Sequence, residues 1–370
     1  MRSGICVGLI SGTSLDAVDA AACEFDNAGR AFRLLGAHGE PYPPALRREL
    51  LDLQRSPDTP ITLRDVARLD AAIGNCFAQA ALALLSTLNL RTSDVAAIGS
   101  HGQTLFHDPV VIRSSLQLGD PNRIAARTGI RTIADFRRAD MAHGGQGAPL
   151  MPAFHQAIFS GADTSVVVNI GGISNITILP GDGNAAFGFD TGPGNALLDD
   201  WILRERGLAY DRDGAWASSG ALCTDLLDAC LRDPYFTLPA PKSTGRDYFN
   251  LDWLTRRVDA LPESAAVQRT LLELTAESLS RAVERSAPEA RHLFVCGGGA
   301  RNAFLMERLS ARLPAVHVTD TSARGLDPDW VEAAGFAWLA WRTLNGRPGN
   351  LPSVTGARRA VVLGGLYEAD

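Results

Sequence analysis

The sequence predicts an α/β protein of two domains, and three observations carry this prediction. A chain of 370 residues exceeds the size at which a single hydrophobic core stops growing, so about two domains are expected. Short apolar strands alternate with helical patterns along the chain, which is typical of α/β architecture. Glycine-rich turns follow three of these strands, at 11–14, 171–174 and 297–299. In such a protein a cleft between the domains is the natural ligand site.

The composition excludes several functional classes. Hydrophobic residues make up 46% of the chain and charged residues 21%, the balance of a globular protein rather than a disordered or fibrous one. The formal net charge is -6 and the 35 basic residues are dispersed, so no basic stripe is available for nucleic acid or an anionic membrane. The six cysteines form no CxxC pair and no metal-ligand spacing with histidine, which indicates reduced thiols without disulfides or structural zinc.

The start of the chain does not fit a secretory signal. Gly8, Ser11 and Gly12 interrupt its short apolar run, and acidic residues follow. No segment reaches the 18 or more continuous apolar residues of a membrane span. We therefore expect a cytoplasmic protein with neither a membrane nor a nucleic-acid partner.

Strand and helix signals open the first domain. Residues 5–10 and 17–25 are short apolar strands joined by the turn SGTSLD, which predicts a hairpin. Ala and Leu then recur at helical spacing over 62–88, and Thr62 followed by Asp65 resembles a capping box. The next apolar strand leads into a polar loop at 100–102, an arrangement that presents ligand-binding groups at strand ends.

A stretch rich in Gly and Pro, 134–152, predicts the crossover into the second domain. We expect one domain to comprise residues 1–135 together with 346–370, and the other to comprise residues 136–345. Strand, glycine-rich turn and strand recur over 166–179, and a shift of 160 residues places Gly12 on Gly172. This match predicts a weak internal duplication.

The glycine-rich turns expose backbone N–H groups that an anion can approach closely, because glycine has no Cβ. Hydroxyl groups of Thr13, Ser14 and Ser174 add donors. Each turn taken alone is better explained as a tight hairpin, but two hairpins followed by GGGARN at 297–302 favour a nucleotide site. No Walker A loop and no GxGxxG fingerprint occurs, so a P-loop or Rossmann interpretation lacks its main support.

Carboxylates near these turns are candidates for chemistry. Asp16 and Asp19 follow the first turn, where a carboxylate can hold hydrated Mg²⁺ against phosphates; the alternatives are a solvated turn acid and a paired strand acid. Asp190 leaves an apolar strand for a Gly and Pro loop before a helix near Ala196. It is placed either to cap local backbone donors or to act as the base of a kinase. Glu332 lies in the first turn of a helix, where it can also complement the helix dipole.

The strand-end loop SHGQTLFHDP offers His101, Gln103 and His107 as donors and acceptors for sugar hydroxyls. The alternative for these residues is a structural role, since a lone histidine is more often structural than catalytic.

Taken together, the motifs resemble the anhydro-N-acetylmuramic acid kinase family, within the actin, hexokinase and chaperone-ATPase superfamily. The resemblance covers nearly the whole chain and rests on these segments: GLISGTSLDAVDAA (8–21), GSHGQT (99–104), QLGDPNRIAARTG (117–129), ADFR (134–137), GGQGAPLMPAFH (144–155), VNIGGISNIT (168–177), FDTGPGN (189–195), GGGARN (297–302) and WVEAAGFAWLA (330–340). It implies a two-domain actin/hexokinase-like (ribonuclease H-like) ATPase fold with ATP and sugar in an interdomain cleft.

The resemblance also implies roles for individual residues. The residues expected at the nucleotide are Gly12, Thr13, Ser14, Leu15, Asp16, Ala17, Val18, Asp19, Gly171, Gly172, Ser174, Gly297, Gly298, Gly299 and Asn302. The residues expected at the sugar are His101, Gln103, Asp120, Arg137 and Asn195. Asp190 is expected to be the catalytic base, Glu332 a substrate-site carboxylate, and Asp16 the Mg²⁺ ligand.

The reaction that the resemblance implies is the opening of a 1,6-anhydro sugar by water, with transfer of the γ-phosphoryl group of MgATP to O6. The products are N-acetylmuramic acid 6-phosphate and ADP, the path is cell-wall recycling, and a homodimer is expected. One departure is visible at Ala17, where we expect Gly; if that position needs φ > 0, Ala costs about 1 kcal/mol. Two alternatives are an ordinary hexose or amino-sugar kinase and a non-kinase ATPase switch.

Overall fold

The computed structural model describes residues 4–12, 15–26, 32–55, 59–258 and 260–369. The chain divides into two compact units, here called unit 1 (1–158 with 330–370) and unit 2 (159–329). The first boundary lies later in the sequence than the expected crossover, and the chain returns to unit 1 earlier than expected.

The strands, in chain order, are β1 (Gly4–Ile10), β2 (Ala17–Phe25), β3 (Phe32–Pro41), β4 (Val95–Ser100), β5 (Gln103–Asp108), β6 (Ser114–Leu118), β7 (Thr132–Ala134), β8 (Ser165–Ile170), β9 (Ile173–Leu179), β10 (Phe187–Pro193), β11 (His292–Cys296), β12 (His317–Asp320) and β13 (Gly365–Tyr367). The α-helices are α1 (Pro44–Arg55), α2 (Leu63–Leu88), α3 (Pro121–Thr128), α4 (Arg138–Ala142), α5 (Met151–Phe159), α6 (Ala196–Arg206), α7 (Ala215–Ser219), α8 (Thr224–Leu231), α9 (Leu251–Thr255), α10 (Ser264–Ser286), α11 (Ala303–Arg312), α12 (Val331–Leu344) and α13 (Pro352–Thr355).

Unit 1 is built on a six-stranded sheet in the order β13-β7-β4-β1-β2-β3. The antiparallel pair β1 and β2 confirms the predicted first hairpin, and β4 and β7 extend the sheet in parallel. Helix α2 begins after Thr62, whose side chain accepts from the backbone N–H of Asp65, as predicted. Leu69, Ile73 and Phe77 of this helix are fully buried in the core of unit 1. By length and composition alone α2 could also cross a membrane, and it is the one described helix that could.

Helix α12 belongs to unit 1 because it packs directly on the sheet. A Cβ on Gly8 of β1 would lie 1.8 Å from the carbonyl oxygen of Ala333, and one on Gly99 of β4 would lie 2.2 Å from that of Phe336. Two glycines on neighbouring strands therefore let the helix backbone approach closely. This contact, which no sequence periodicity reports, moves the boundary of unit 1 to residue 330 and carries Glu332 into unit 1.

Unit 2 repeats the order of unit 1. Its five-stranded sheet runs β10-β9-β8-β11-β12, with β8 and β9 antiparallel and β11 and β12 added in parallel. In unit 1, the neighbouring strands β3-β2-β1-β4-β7 show the same order. Their antiparallel and parallel pairings match those of the unit 2 sheet one by one. The shared topology supports the predicted duplication, with β8 in the place of β1 and the turn at Gly171 and Gly172 in the place of the turn at Gly12.

A buried histidine makes the stability of unit 1 depend on pH. His155 on α5 is 3% exposed, and burial lowers its pKa to about 3. In the unfolded chain a histidine titrates near 6.5, so the neutral folded form stabilises the protein above that pH, and the stability is lost as pH falls from about 6.5 toward the folded pKa. We expect this residue alone to lower the free energy of unfolding by about 1.4 kcal/mol per pH unit in that window.

Chemical denaturation of wild-type protein and His155→Gln between pH 7.5 and 4.5 measures this dependence. The difference in unfolding free energy between the two proteins should shrink as pH falls, because glutamine does not titrate. His317→Gln, which alters an exposed histidine of unit 2, controls for the replacement of a histidine by glutamine outside unit 1. A His155→Gln difference that does not change with pH contradicts the assignment of a neutral buried imidazole.

Candidate active site

Asp190 lies within β10, which runs on to Pro193 rather than ending at the carboxylate as the sequence suggested. Side chains alternate along a strand, so Phe187 and Phe189 pack toward the core of unit 2 while Asp190 lies on the opposite face. A bulge follows, because Asp190 pairs with Asn175 and the next register position is Gly192 with Ser174. The bulge bends the strand immediately after the carboxylate.

Three hydrogen bonds hold Asp190, two with the loop at 242–244 and one with Tyr235. Its Oδ2 accepts from the backbone N–H of Thr244 at 3.1 Å, and its own N–H donates to the carbonyl oxygen of Lys242 at 3.1 Å. The hydroxyl of Tyr235 donates to the Asp190 carbonyl oxygen at 2.6 Å. Burial raises the pKa of Asp190, and the Thr244 N–H opposes this shift. A half-buried carboxylate with a raised pKa is a stronger base than an exposed one and remains able to accept a proton.

The second glycine-rich hairpin packs against the start of α6. The carbonyl oxygen of Gly171 accepts from the N–H of Asn195 at 2.8 Å, and that of Gly172 accepts from Gly194 at 2.9 Å. Ser174 is fully buried, and a Cβ on Gly194 would lie 2.7 Å from its hydroxyl, which has no hydrogen-bond partner among the described residues; the side chain packs against the loop instead of facing solvent. Backbone hydrogen bonds thus join the hairpin to the residues that follow Asp190.

The three glycines of GGGARN have different environments. A Cβ on Gly299 would lie 2.3 Å from Ile170, and Gly297 has φ +75° and faces Asn169, so both positions require glycine for the fold. Gly298 is different, because a Cβ there would have Asn195 at 3.6 Å as its nearest neighbour. Gly298 therefore borders open space, as expected of a residue that faces a ligand.

That space is a cavity of about 540 Å³ within unit 2. Its lining residues are Asn195, Leu198, Asp199, Tyr210, Asp211, Arg212, Asp213, Gly298, Arg301 and Asn302. The volume and the mixture of an aromatic ring, carboxylates and amides suit a nucleoside. Asn302 caps α11 by accepting from the N–H of Leu305 at 3.0 Å, so it shapes the cavity wall through a structural bond.

The cavity wall at 210–213 was not predicted from the sequence. Its signal was the Asp-Gly turn, where Asp213 has φ 56° and Gly214 φ 69°. The structure also places Asn195, expected at the sugar, beside Gly298 and Asn302 in this cavity, in a different unit from the other predicted sugar residues.

The first glycine-rich turn is described except for Thr13 and Ser14, which lie outside the described residues. Leu15 is the residue with positive φ, at 54°, whereas Ala17 starts β2 and pairs with Pro41. The absence of glycine at 17 therefore carries no backbone penalty. Asp16 is exposed, and its Oδ1 accepts from Arg47 at 2.7 Å. Gly12 has open space at its Cβ position, and the neighbouring strand residues Val18 and Asp19 are buried and half-buried.

Three predicted substrate residues meet in unit 1. Arg137 donates from Nε and Nη2 to Nε2 of His101 at 3.0 and 2.8 Å, and from Nη1 to the carbonyl oxygen of Gly147 at 2.8 Å. His101 Nδ1 lies 2.8 Å from the carbonyl oxygen of Gly102. Since a carbonyl only accepts, Nδ1 carries the proton and Nε2 accepts from the guanidinium. Burial and the Arg137 charge hold the pKa of His101 well below its usual value, so the ring is neutral.

Glu332 completes this group. Burial lowers the pKa of Arg137 to about 10, and the Glu332 charge opposes that shift, so the two groups interact while the arginine stays charged. Glu332 is in contact with solvent, but the protein around its carboxylate removes part of its hydration. This desolvation raises the pKa of Glu332, and the charge of Arg137 acts in the opposite direction. The cluster of His101, Arg137 and Glu332 presents one cation, one carboxylate and a fixed imidazole.

Gln103 offers a ligand a buried acceptor atom, whereas the Asp120 carboxylate already binds groups of the protein. Gln103 is 2% exposed, and within the described part of the chain its Oε1 has no hydrogen-bond partner. Buried acceptors of this kind usually have a hydrogen-bond donor, so Oε1 is suited to accept from a hydroxyl or an N–H of a ligand. Asp120 caps α3, accepting from the N–H of Asn122 at 3.0 Å, and lies near the Arg123 side chain. Its carboxylate is thus used locally. His107 bonds to Ser115 at 3.0 Å, and burial together with the Arg137 charge lowers its pKa, so its ring lies close enough to the cluster to feel that charge.

The α/β sheet is duplicated, each copy carries a glycine-rich hairpin, and a nucleoside-sized cavity lies in the copy that contains Asp190. These features are typical of nucleotide-dependent phosphotransferases of the actin and hexokinase type. The chain belongs to the anhydro-N-acetylmuramic acid kinase family, whose profile matches residues 4–369. The predicted family and fold class are confirmed. The protein is accordingly a kinase that uses ATP and acts on a sugar in peptidoglycan recycling.

Solved structures with distant likeness cover most of the chain. An activator of 2-hydroxyisocaproyl-CoA dehydratase from Clostridium difficile, with bound ADPNP, is 11% identical with a TM-score of 0.46, over 92% of this chain and 96% of its own. A ROK family glucokinase from Streptomyces griseus, in complex with glucose and AMPPNP, is 13% identical with a TM-score of 0.38, over 90% and 98%.

Proposed function

We propose that Asp190 is the base that activates water in the hydrolytic phosphorylation of 1,6-anhydro-N-acetylmuramic acid. The observation that carries this proposal is the position of Asp190. It is a half-buried carboxylate with a raised pKa, on the strand that leads through Gly192 and Gly194 into the wall of the nucleoside cavity. No other described carboxylate combines these properties with a place next to the second hairpin.

The proposed step exchanges one bond at C1 of the sugar and one bond at the γ-phosphorus. Asp190 accepts a proton from water while the water oxygen forms a bond to C1 of the sugar and the bond from C1 to O6 breaks. O6 forms a bond to the γ-phosphorus of ATP, and the bond from phosphorus to the β–γ bridging oxygen breaks, releasing ADP. The proton on Asp190 then passes to solvent. Positioning and charge neutralisation supply most of the catalysis in such transfers.

The sugar contacts that we propose are His101, Gln103, Arg137 and Glu332. Arg137 would donate hydrogen bonds to the substrate. Gln103 Oε1, which has no partner among the described residues, would accept one. Glu332 accepts from a sugar hydroxyl or from the water. Asp120, with its carboxylate committed to the start of α3, would act by fixing the neighbouring loop.

Nucleotide binding is assigned to Gly12–Asp19 and to the cavity beside Gly298. Mg²⁺ bound with ATP would neutralise phosphate charge, and it usually takes only one or two protein carboxylates besides phosphates and water. Exposed Asp16 fits that requirement, since its Oδ1 is engaged by Arg47 and a carboxylate has a second oxygen. The dispersed charge and net charge of -6 support action in the cytoplasm on small molecules, without nucleic acid or membrane. A homodimer is proposed from the family resemblance.

Turnover in ¹⁸O-labelled water tests the proposal. With MgATP and the anhydro sugar, the label should appear at the anomeric oxygen of the phosphorylated sugar and not in phosphate, because water attacks carbon. N-acetylmuramic acid, which already has a free 6-hydroxyl, is the control substrate and should react more slowly. Faster reaction of that control would favour an ordinary sugar kinase. Labelled inorganic phosphate formed regardless of sugar would favour the ATPase switch.

A further inference from the structure

An arginine occupies the side-chain space of the second glycine-rich turn. A Cβ placed on Gly172 would lie 2.7 Å from Nε of Arg246 and 3.3 Å from its guanidinium carbon. The guanidinium therefore lies directly against the backbone of the hairpin, in the space that a side chain at 172 would occupy. Gly171, by comparison, has only the carbonyl oxygen of Ile173 near its Cβ position, at 3.6 Å.

The loop that carries Arg246 is anchored on both sides. Before it, the N–H of Thr244 donates to Oδ2 of Asp190. After it, the hydroxyl of Tyr248 donates to Oδ1 of buried Asp233 at 2.9 Å. The N–H of Phe249 also donates to the carbonyl oxygen of Gly245 at 3.1 Å, which closes the turn around Arg246. The loop that holds the proposed base thus also positions this arginine.

The charge of Arg246 is not neutralised by the described residues of the protein. Neighbouring arginines of unit 2 do hold carboxylates, as Arg257 holds Asp233 and Arg301 holds Asp327. Arg246 forms no ion pair within the described ranges, and its side chain is exposed. An exposed guanidinium without a carboxylate partner, held against backbone at a turn of the phosphate-binding type, is suited to bind an anion.

We propose that Arg246 is a further catalytic residue that binds the γ-phosphoryl group of ATP during transfer. The proposal rests on the proposed function, since it takes the hairpin at Gly171 and Gly172 as the phosphate turn. As the bond from O6 to phosphorus forms and the bond to the bridging oxygen breaks, Arg246 donates to non-bridging oxygens and neutralises charge on the moving group. An arginine supplied to such a group accelerates phosphoryl transfer strongly.

The test compares Arg246→Ala and Arg246→Lys with Arg256→Ala, which removes an exposed arginine of the same unit. We expect Arg246→Ala to lower kcat by about 10²- to 10³-fold, the range for loss of one transition-state donor. Affinity for MgADP and for the anhydro sugar, measured by calorimetry, should stay near wild type, whereas affinity for a Mg²⁺ complex of a non-hydrolysable ATP analogue should fall. Lysine should restore part of kcat, as should added guanidinium ion with Arg246→Ala.

Three outcomes overturn the proposal. The first is a wild-type kcat for Arg246→Ala. The second is a loss that appears only in the melting temperature, which makes Arg246 a packing residue of the hairpin. The third is a weakened affinity for the anhydro sugar with kcat retained, which assigns the guanidinium to the carboxylate of the sugar. Failure of the proposed function appears instead in the wild-type protein, as absence of labelled sugar phosphate, so the two failures are distinguishable.

Discussion

Replacement of Asp190 by asparagine should leave both substrates bound and abolish nearly all turnover. The amide keeps the size of the side chain, and its oxygen can still accept from the N–H of Thr244, but it cannot accept a proton from water. Loss of a general base costs about 10²- to 10⁴-fold in rate, and more where the same group orients the nucleophile. Stopped assays of phosphorylated sugar give kcat, and calorimetry gives the two affinities.

The pH dependence of wild-type kcat gives a second measure of the same group. The base is active only when deprotonated, so turnover should fall as pH drops through the pKa of Asp190. Burial raises that pKa, and the acid limb should therefore lie above the position expected of an exposed aspartate. Asp190→Asn should lose this limb along with its activity.

Glu332→Gln is the informative control, since Glu332 is a carboxylate of unit 1 beside Arg137 and has no part in holding the loop at 242–246. If it only positions the sugar or water, its effect should be smaller and appear partly in KM. An Asp190→Asn enzyme that folds, binds both ligands and turns over near the wild-type rate would overturn the mechanism and transfer the role of base to Glu332.

Replacement of Gly298 by valine should weaken nucleotide binding by about 10- to 100-fold, equivalent to about 1–3 kcal/mol of steric overlap, with little effect on the sugar. The first atom of the new side chain fits, because its nearest neighbour is Asn195 at 3.6 Å, but the branched methyl groups extend into the cavity of about 540 Å³. The fold should tolerate the change for the same reason. Calorimetry with MgADP and with the anhydro sugar tests each ligand separately.

Gly161→Val is the matched control, since Gly161 is exposed, belongs to unit 2 and lies outside the cavity lining. Neighbouring Gly297 and Gly299 would not serve, because any side chain there collides with Asn169 or Ile170 and confounds binding with stability. If Gly298→Val folds and binds MgADP as tightly as wild type, the cavity is not the adenosine site.

Local features were predictable from the sequence because they depend on neighbours in the chain. The hairpin of β1 and β2, the cap of α2 by Thr62, and the strand that carries Asp190 all follow from periodicity and turn chemistry over a few residues. The motif order was sufficient to identify the family. The same signals also predicted the duplication, which the two sheets share as strand order and direction.

Contacts between distant segments were decided only by the tertiary structure. Gly8 and Gly99 admit α12, which no local pattern predicts, and so place Glu332 near Arg137. Gly172 read as a glycine that frees a backbone for phosphate, whereas its missing side chain makes room for Arg246. A periodic pattern reports which face of an element is buried but not which segment covers it, and the covering segment is what assembles the site.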